Sequence, residues 1–228
     1  MKKYIYKAAI GISVVAITLT SCEKVLDLQP LNDVTSEVVY SNAKGYKQSL
    51  AKVYGSFALT GNSGPAGSAD IVGLDEGSNG DFYRTFWQAQ ELSTDEAVIA
   101  WGDAGVQDFH NMNWTSDNPF LKGLYFKSVY QITLANEFLR QSTDEKLTSR
   151  GITGADADEI RKNRSEVRFL RAFQYWVLMD MYGNPPFVTE NDLIGGPLPK
   201  QISRAELFNY VESELKAIET ELPETKTV

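Results

Sequence analysis

Residues 164–188 read Arg164-Ser-Glu-Val-Arg-Phe-Leu-Arg-Ala-Phe-Gln-Tyr-Trp-Val-Leu-Met-Asp-Met-Tyr-Gly-Asn-Pro-Pro-Phe-Val188. Val167, Leu170, Phe173, Val177 and Met181 recur at three- and four-residue steps, the period of an apolar helix stripe. Phe169, Tyr175, Trp176 and Leu178 add apolar surface off that stripe, which predicts a helix buried on several sides. Gly183 is placed to end it, and Pro185-Pro186 forbid its continuation. The pattern extends back to about residue 156, predicting one long helix over 156–182. The arginines of Arg168-Phe169-Leu170-Arg171 read as structural, closing buried pairs or helix ends.

On either side the same period returns. Downstream, Ser203-Arg-Ala-Glu206 is a capping box, in which serine and glutamate each satisfy a free backbone N–H. Leu207, Tyr210, Val211, Leu215, Ile218 and Leu222 follow at helical spacing, and Pro223 stops the run. Upstream, Pro119 suits a first turn, and Leu121, Leu124, Tyr125, Ile132, Ala135 and Leu139 share a face. A further helix is predicted from about Asn42 to Leu59, with Tyr46, Leu50, Val53, Tyr54 and Phe57 on one side. No strand pattern is strong. The fold class is therefore mainly α, with antiparallel, tetratricopeptide-like helix pairs, although that repeat's consensus is absent.

Residues 60–119 break the helical pattern. Gly61, Gly64, Gly67, Gly73, Gly77 and Gly80 crowd the first third, and short aromatic stretches follow. The segment reads as a long glycine- and aromatic-rich loop insertion, and loops of that length in a compact domain carry function. It holds Asp75-Glu-Gly-Ser-Asn-Gly-Asp81, then Phe82-Tyr-Arg-Thr-Phe-Trp87, then Trp101. Sugars present apolar C–H faces and hydroxyl edges, so a sugar site combines flat aromatics with Asp, Asn and Arg. This loop has that composition. Trp87 and Trp114 read as core, His110 as a surface or hydrogen-bonded loop residue, and Thr94-Asp95-Glu96 as a turn or cap. Arg84 reads equally as a ligand contact or as the structural partner of Asp81 or Asp95. As a calcium loop, Asp75–Asp81 fails, because the position of the bidentate glutamate is Phe86. Gly64-Pro-Ala-Gly67 lacks the Lys-Ser/Thr of a phosphate loop.

The amino terminus is of another kind. Lys2, Lys3 and Lys7 precede an uncharged apolar run from Ala8 to Leu19. That run is shorter than the roughly 20 residues that span a bilayer, and it has the length of a secretory signal core. It ends in Leu19-Thr20-Ser21-Cys22, which resembles a bacterial lipobox, with the single cysteine of the 228 residues at the position that becomes lipidated. Residues 1–21 are then a lipoprotein signal peptide, residues 22–33 a lipidated tether around Pro30, and residues 34–228 the helical domain. Multiple acyl chains such as palmitate would hold such a protein to a membrane, at about 0.8 kcal/mol per buried CH₂.

Composition narrows the chemistry. A net charge of −8 gives no general attraction to nucleic acid. One Cys rules out an intrachain disulfide or a Cys-based zinc site, and one His rules out a multi-His metal site. No cofactor and no metal is expected.

The segment 164–188 also resembles the signature helix of the SusD/RagB family. These are Bacteroidetes outer-membrane lipoproteins that bind nutrients, mostly glycans. The family pattern E-x-R-F-L-R-A-x-x-Y-x-x-L-x-x-x-[YF]-G-x-x-P is matched by Glu166, Arg168, Phe169, Leu170, Arg171, Ala172, Tyr175, Leu178, Tyr182, Gly183 and Pro186. Leu92-Ser-Thr-Asp-Glu96 leading to Trp101, and the lipobox at Cys22, are similar to the family's amino-terminal half. The resemblance implies four tetratricopeptide-like helix pairs carrying a loop-rich binding face, and a TonB-dependent (SusC-like) β-barrel transporter as partner. It implies placement in the outer membrane, facing the cell surface. Family members are much longer, so the resemblance implies an incomplete, amino-terminal portion, with apolar surface left uncovered on the helices over 156–182 and 203–222.

The loop is similar to that of the family's starch-binding prototype, with its D-E-G…F-Y-R-T…L-x-T-D-E…A-W order. That implies glycan-binding roles for Asp75, Arg84 and Trp101: Trp101 stacks on a sugar ring, while Asp75 and Arg84 bond hydroxyls. The match needs a one-residue shift between Asp75 and Arg84. An Asn used three residues after the tryptophan is Ala104 here, with Asp103 before it and Gln107 after, a departure that bears on starch as the specific glycan. Two other classes compete with glycan binding. A glycoside hydrolase would use carboxylate pairs at Asp75/Glu76 or Asp95/Glu96, set about 5 to 9.5 Å apart across one bond. A structural helical-repeat adaptor would bind no glycan.

Overall fold

The structure, a computed structural model, describes residues 35–59, 69–74 and 79–222. The signal, Cys22 and tether assignments, and Asp75 with Glu76, lie outside the described residues. From Ser36 onward the described helices pack as one unit. They are α1 (Ser36–Val39), α2 (Ala43–Ala58), α3 (Phe82–Glu91), α4 (Val106–Asn111), α5 (Pro119–Gln141), α6 (Asp144–Ser149), α7 (Gly154–Tyr182) and α8 (Arg204–Ile218). Pro186 and Gln201 form an isolated antiparallel β-bridge. Among the described residues no helix is long and apolar enough to cross a membrane.

The four long helices form an antiparallel ladder, as the periodicity predicts. At one end of α2, Tyr46 donates to the Gln141 carbonyl at the far end of α5; at the other, Phe57 packs with Leu124 near the start of α5. Ile132 of α5 meets Ala172, Tyr175 and Leu178 of α7. Arg168 of α7 pairs with Glu214 of α8, while Asn184 just past α7 accepts from the Arg204 N–H that opens α8. The α8 start is the predicted capping box.

Arg168 and Arg171 hold α5, α7 and α8 together. Arg171 is 3% exposed and bonds Asn136 at 2.7 Å, Glu214 at 3.1 Å, and Glu190 in the segment after α7. Burial alone would lower its pKa; Tyr210, Glu190 and Glu214 overcome that and leave it raised. Glu214 is the mirror case. Burial pushes its carboxyl up, and Arg168 and Arg171 bring it below the ordinary value. The segment after α7 is pinned to the same place, because the buried Tyr175 hydroxyl both donates to the Val188 carbonyl and accepts its N–H. Burial pushes that phenol up to about 12.

Two expectations need correction. The insertion over 60–119 is not loop throughout, since it contains α3 and α4. Its helices are locally encoded: Asp81 caps α3, and Phe82, Thr85, Phe86 and Ala89 turn one face inward. The long helix is buried on several sides, as expected, but not at two of the residues counted toward that burial. Phe169 and Trp176 of α7, with Phe208 and Leu215 of α8, stay exposed. That exposure follows the uncovered apolar surface anticipated for these two helices.

Candidate functional site

Three anchors set the geometry of the insertion. Gly123 of α5 admits the backbone of residue 79, where a Cβ would lie 2.0 Å from the Asn79 carbonyl oxygen. Asp81 then accepts the Arg84 N–H at 2.7 Å and starts α3. Phe82 and Thr85 are buried, so Tyr83, Arg84 and Trp87 fall toward the outer side. Beyond α3, Thr94 donates to the Glu91 carbonyl and accepts the Glu96 N–H, the expected turn.

The chain returns through residues 97–103 to α4, whose Val106 and Phe109 pack on Leu92 and Phe120. Asn118 ties α4 to α5. Its amide donates to the Gly105 carbonyl and to Asp108, while its oxygen caps Phe120 and Leu121. Gly105 has φ +91°, and a Cβ there would come within 2.8 Å of the Pro119 ring. Glycine is required on both counts. From α4, Gln107 donates its amide to the carbonyls of Ile99 and Trp101, at 2.9 and 2.8 Å. Gln107 therefore fastens the segment that carries Trp101.

These anchors bring together two of the three site residues the sequence singles out. The Arg84 guanidinium carbon lies 5.9 Å from the Trp101 ring centroid, within cation–π range. Trp101 is 56% exposed, so it is not a core residue pinning the loop. Asp81 spends its carboxylate as a helix cap. An exposed indole with a guanidinium beside it offers an apolar face and several N–H donors in one place. Asp75, the third residue, lies outside the described residues. Among those described, no three His, Cys, Asp or Glu side chains are grouped to hold a metal ion.

Trp87 and Trp114 were expected in the core, and both are instead exposed, at 48% and 44%. Trp87 follows Tyr83 by four residues on the outer side of α3, beside a groove that also takes in Phe86 and Trp176. Trp114 leans on Phe109, with centroids 6.2 Å apart. His110 is exposed, as expected, but it stands on α4 and not in a loop.

No protein-family model matches the chain. The sequence is 32% identical over 225 residues to the starch-binding protein SusD of Bacteroides thetaiotaomicron, a match covering 98% of this chain and 37% of SusD. Two crystal structures of Bacteroides fragilis proteins share its fold. One, a SusD-like carbohydrate-binding protein, aligns at TM-score 0.51 and 21% identity over 82% of this chain and 33% of its own. The other, a SusD-like protein, aligns at TM-score 0.59 and 17% identity over 88% of this chain and 33% of its own. The chain thus spans just over a third of the curated relative it matches. The helical ladder, the Arg168–Arg171 motif it is built on, and identity along nearly the whole chain agree that the chain belongs to the SusD-like family.

Proposed function

We propose that this chain is part of a cell-surface lipoprotein that binds glycan without cleaving it and hands oligosaccharide to a TonB-dependent outer-membrane transporter. Acylation of Cys22 anchors it in the outer membrane. Trp101 stacks on a sugar ring, Arg84 bonds hydroxyls beside it, and Asp75 adds an acceptor. The observation that carries this reading is the exposed Trp101 ring with the Arg84 guanidinium 5.9 Å from its centroid. Starch leads the candidates because the relative at 32% identity is named for binding it, and Ala104 in place of the family's Asn leaves room for another glycan. Affinity is modest, since each hydroxyl gives up water hydrogen bonds on binding.

The test is retention of the mature protein in gels containing starch or other polysaccharides, with W101A alongside and reducing ends assayed in parallel. We expect retention by at least one glycan, its loss in W101A, and no new reducing ends. Retention unchanged in W101A would remove Trp101 from the site. Turnover would replace binding by hydrolysis, and no retention by any glycan would sink the reading.

A further inference from the structure

We propose that the groove beneath Trp114 is a second saccharide subsite, built from residues other than Arg84 and Trp101. The inference rests on the glycan-binding reading above and extends it. The groove has a volume of 490 Å³ and lies where the segment after α4 meets the start of α5 and the end of α7. Small-ligand pockets run from roughly 300 to 1,000 Å³.

The local chain explains why Trp114 stands there. Met112 is left-handed at φ 52°, a conformation rare for a residue with a side chain. It folds the chain back as α4 ends, with the Met112 N–H donating to the Phe109 carbonyl and the Asn113 N–H to that of Asp108. Trp114 is thereby laid against Phe109, which is itself buried on Phe120. One side of the indole rests on a fixed ring, and 44% of the residue is open. Tyr125 adds a second aromatic wall.

Polar groups surround this platform. Asp180 accepts one hydrogen bond, from Gln90 at 3.1 Å, and a carboxylate has about four acceptor positions. Lys122 is held by Asp117 at 2.7 Å, and an ammonium has three donors. Thr115 and Ser116 line the same groove. A sugar hydroxyl both donates and accepts, so a ring seated on Trp114 finds acceptors and donors around it. The groove between α7 and α8, lined by Phe169, Trp176 and Leu215, makes the contrast. Apart from the Trp176 indole N–H, its lining carries no polar side-chain group, and it offers hydroxyls no side-chain acceptor.

The four tryptophans give four indole N–H signals in a nitrogen-15-labelled protein, and W101A and W114A assign two of them. Titration with maltoheptaose, cellohexaose and mannohexaose should move both signals, each along its own saturation curve. In W101A the Trp114 response should persist. D180A, which leaves the Trp114–Phe109 platform intact, should weaken the Trp114 curve by about tenfold, the loss of one hydrogen bond to a charged group. A Trp114 signal that stays still while Trp101 saturates, or that moves only when Trp101 is present, would overturn this inference alone. An unchanged curve in D180A would count against it in the same way. If neither signal moves with any oligosaccharide, the glycan-binding reading fails and this inference with it.

Discussion

Arg171 and Arg84 each place a guanidinium carbon 5.9 Å from an aromatic centroid, Tyr210 for the first and Trp101 for the second. The likeness ends there. Arg171 is buried between three helices and bonds Asn136, Glu190 and Glu214, and its ring partner Tyr210 packs on Tyr175 and Phe187. Arg84 stands on the outer side of a ten-residue helix, and more than half of its ring partner is exposed. A buried charge must be matched by its surroundings or the fold loses it, so Arg171 is committed to holding helices. At the rim, the ring of the pair is open to solvent, where a ligand can reach it. One contact geometry holds helices together where it is buried; at the exposed rim, on the function proposed above, it would serve recognition.

Substitutions at the two arginines test this contrast most directly. R171A should lower unfolding free energy by about 3 kcal/mol, because it takes a shared partner from the half-buried Glu190 and Glu214 and from the buried Asn136. R84A should change it by less, by about 1 kcal/mol at most, while weakening glycan retention. Urea titrations of both variants give the numbers, and similar losses would break the contrast.

G123A sharpens the comparison from the scaffold side. Its new Cβ meets a backbone carbonyl, which cannot rotate away, so the segment leading into α3 must move. We expect a loss of about 1 to 3 kcal/mol together with weaker glycan retention, since α3 carries Arg84. Full retention in a folded G123A protein would mean that the start of α3 does not set the site.

Acid provides the smallest and most selective effect. The carboxyl of Glu214 sits below its ordinary value of 4.5 in the folded protein. Its contribution to stability is present above pH 4.5 and is lost as pH falls through the lowered folded value. E214Q removes that dependence, so the stability gap between wild type and E214Q should be widest at neutral pH and close below about pH 4.5. A gap that stays constant across that range would show that the pair contributes nothing through ionisation.

The long helices are legible because their signals are local. Pro119, the Ser203–Glu206 box and the Gly183-Asn-Pro-Pro186 stop are read within a few residues, and their apolar stripes need only a period. The structural role of Arg168 and Arg171 is legible for a similar reason, since charged residues in an apolar run demand partners. The short helices are harder. Asp81 followed by Phe82, Thr85, Phe86 and Ala89 is a readable cap and stripe, obscured by the glycines around it. At six residues each, α4 and α6 are too short for periodicity to show.

The site divides in the same way. Residue types alone give the loop a sugar-binding composition, and it is resemblance to the family that points to Asp75, Arg84 and Trp101 within it. What sequence cannot supply is that residues 17 positions apart meet. That meeting depends on Gly123 admitting residue 79, on Asn118 joining α4 to α5, and on Gln107 gripping the Trp101 carbonyl. The exposure of Trp87 and Trp114 is equally invisible in the chain, because tryptophan's large apolar area favours the interior unless packing leaves it outside. Periodicity and capping, which act over a few residues, determined the helical ladder in advance. Which aromatic faces meet solvent was left to tertiary packing, because exposure depends on neighbours that are distant in sequence.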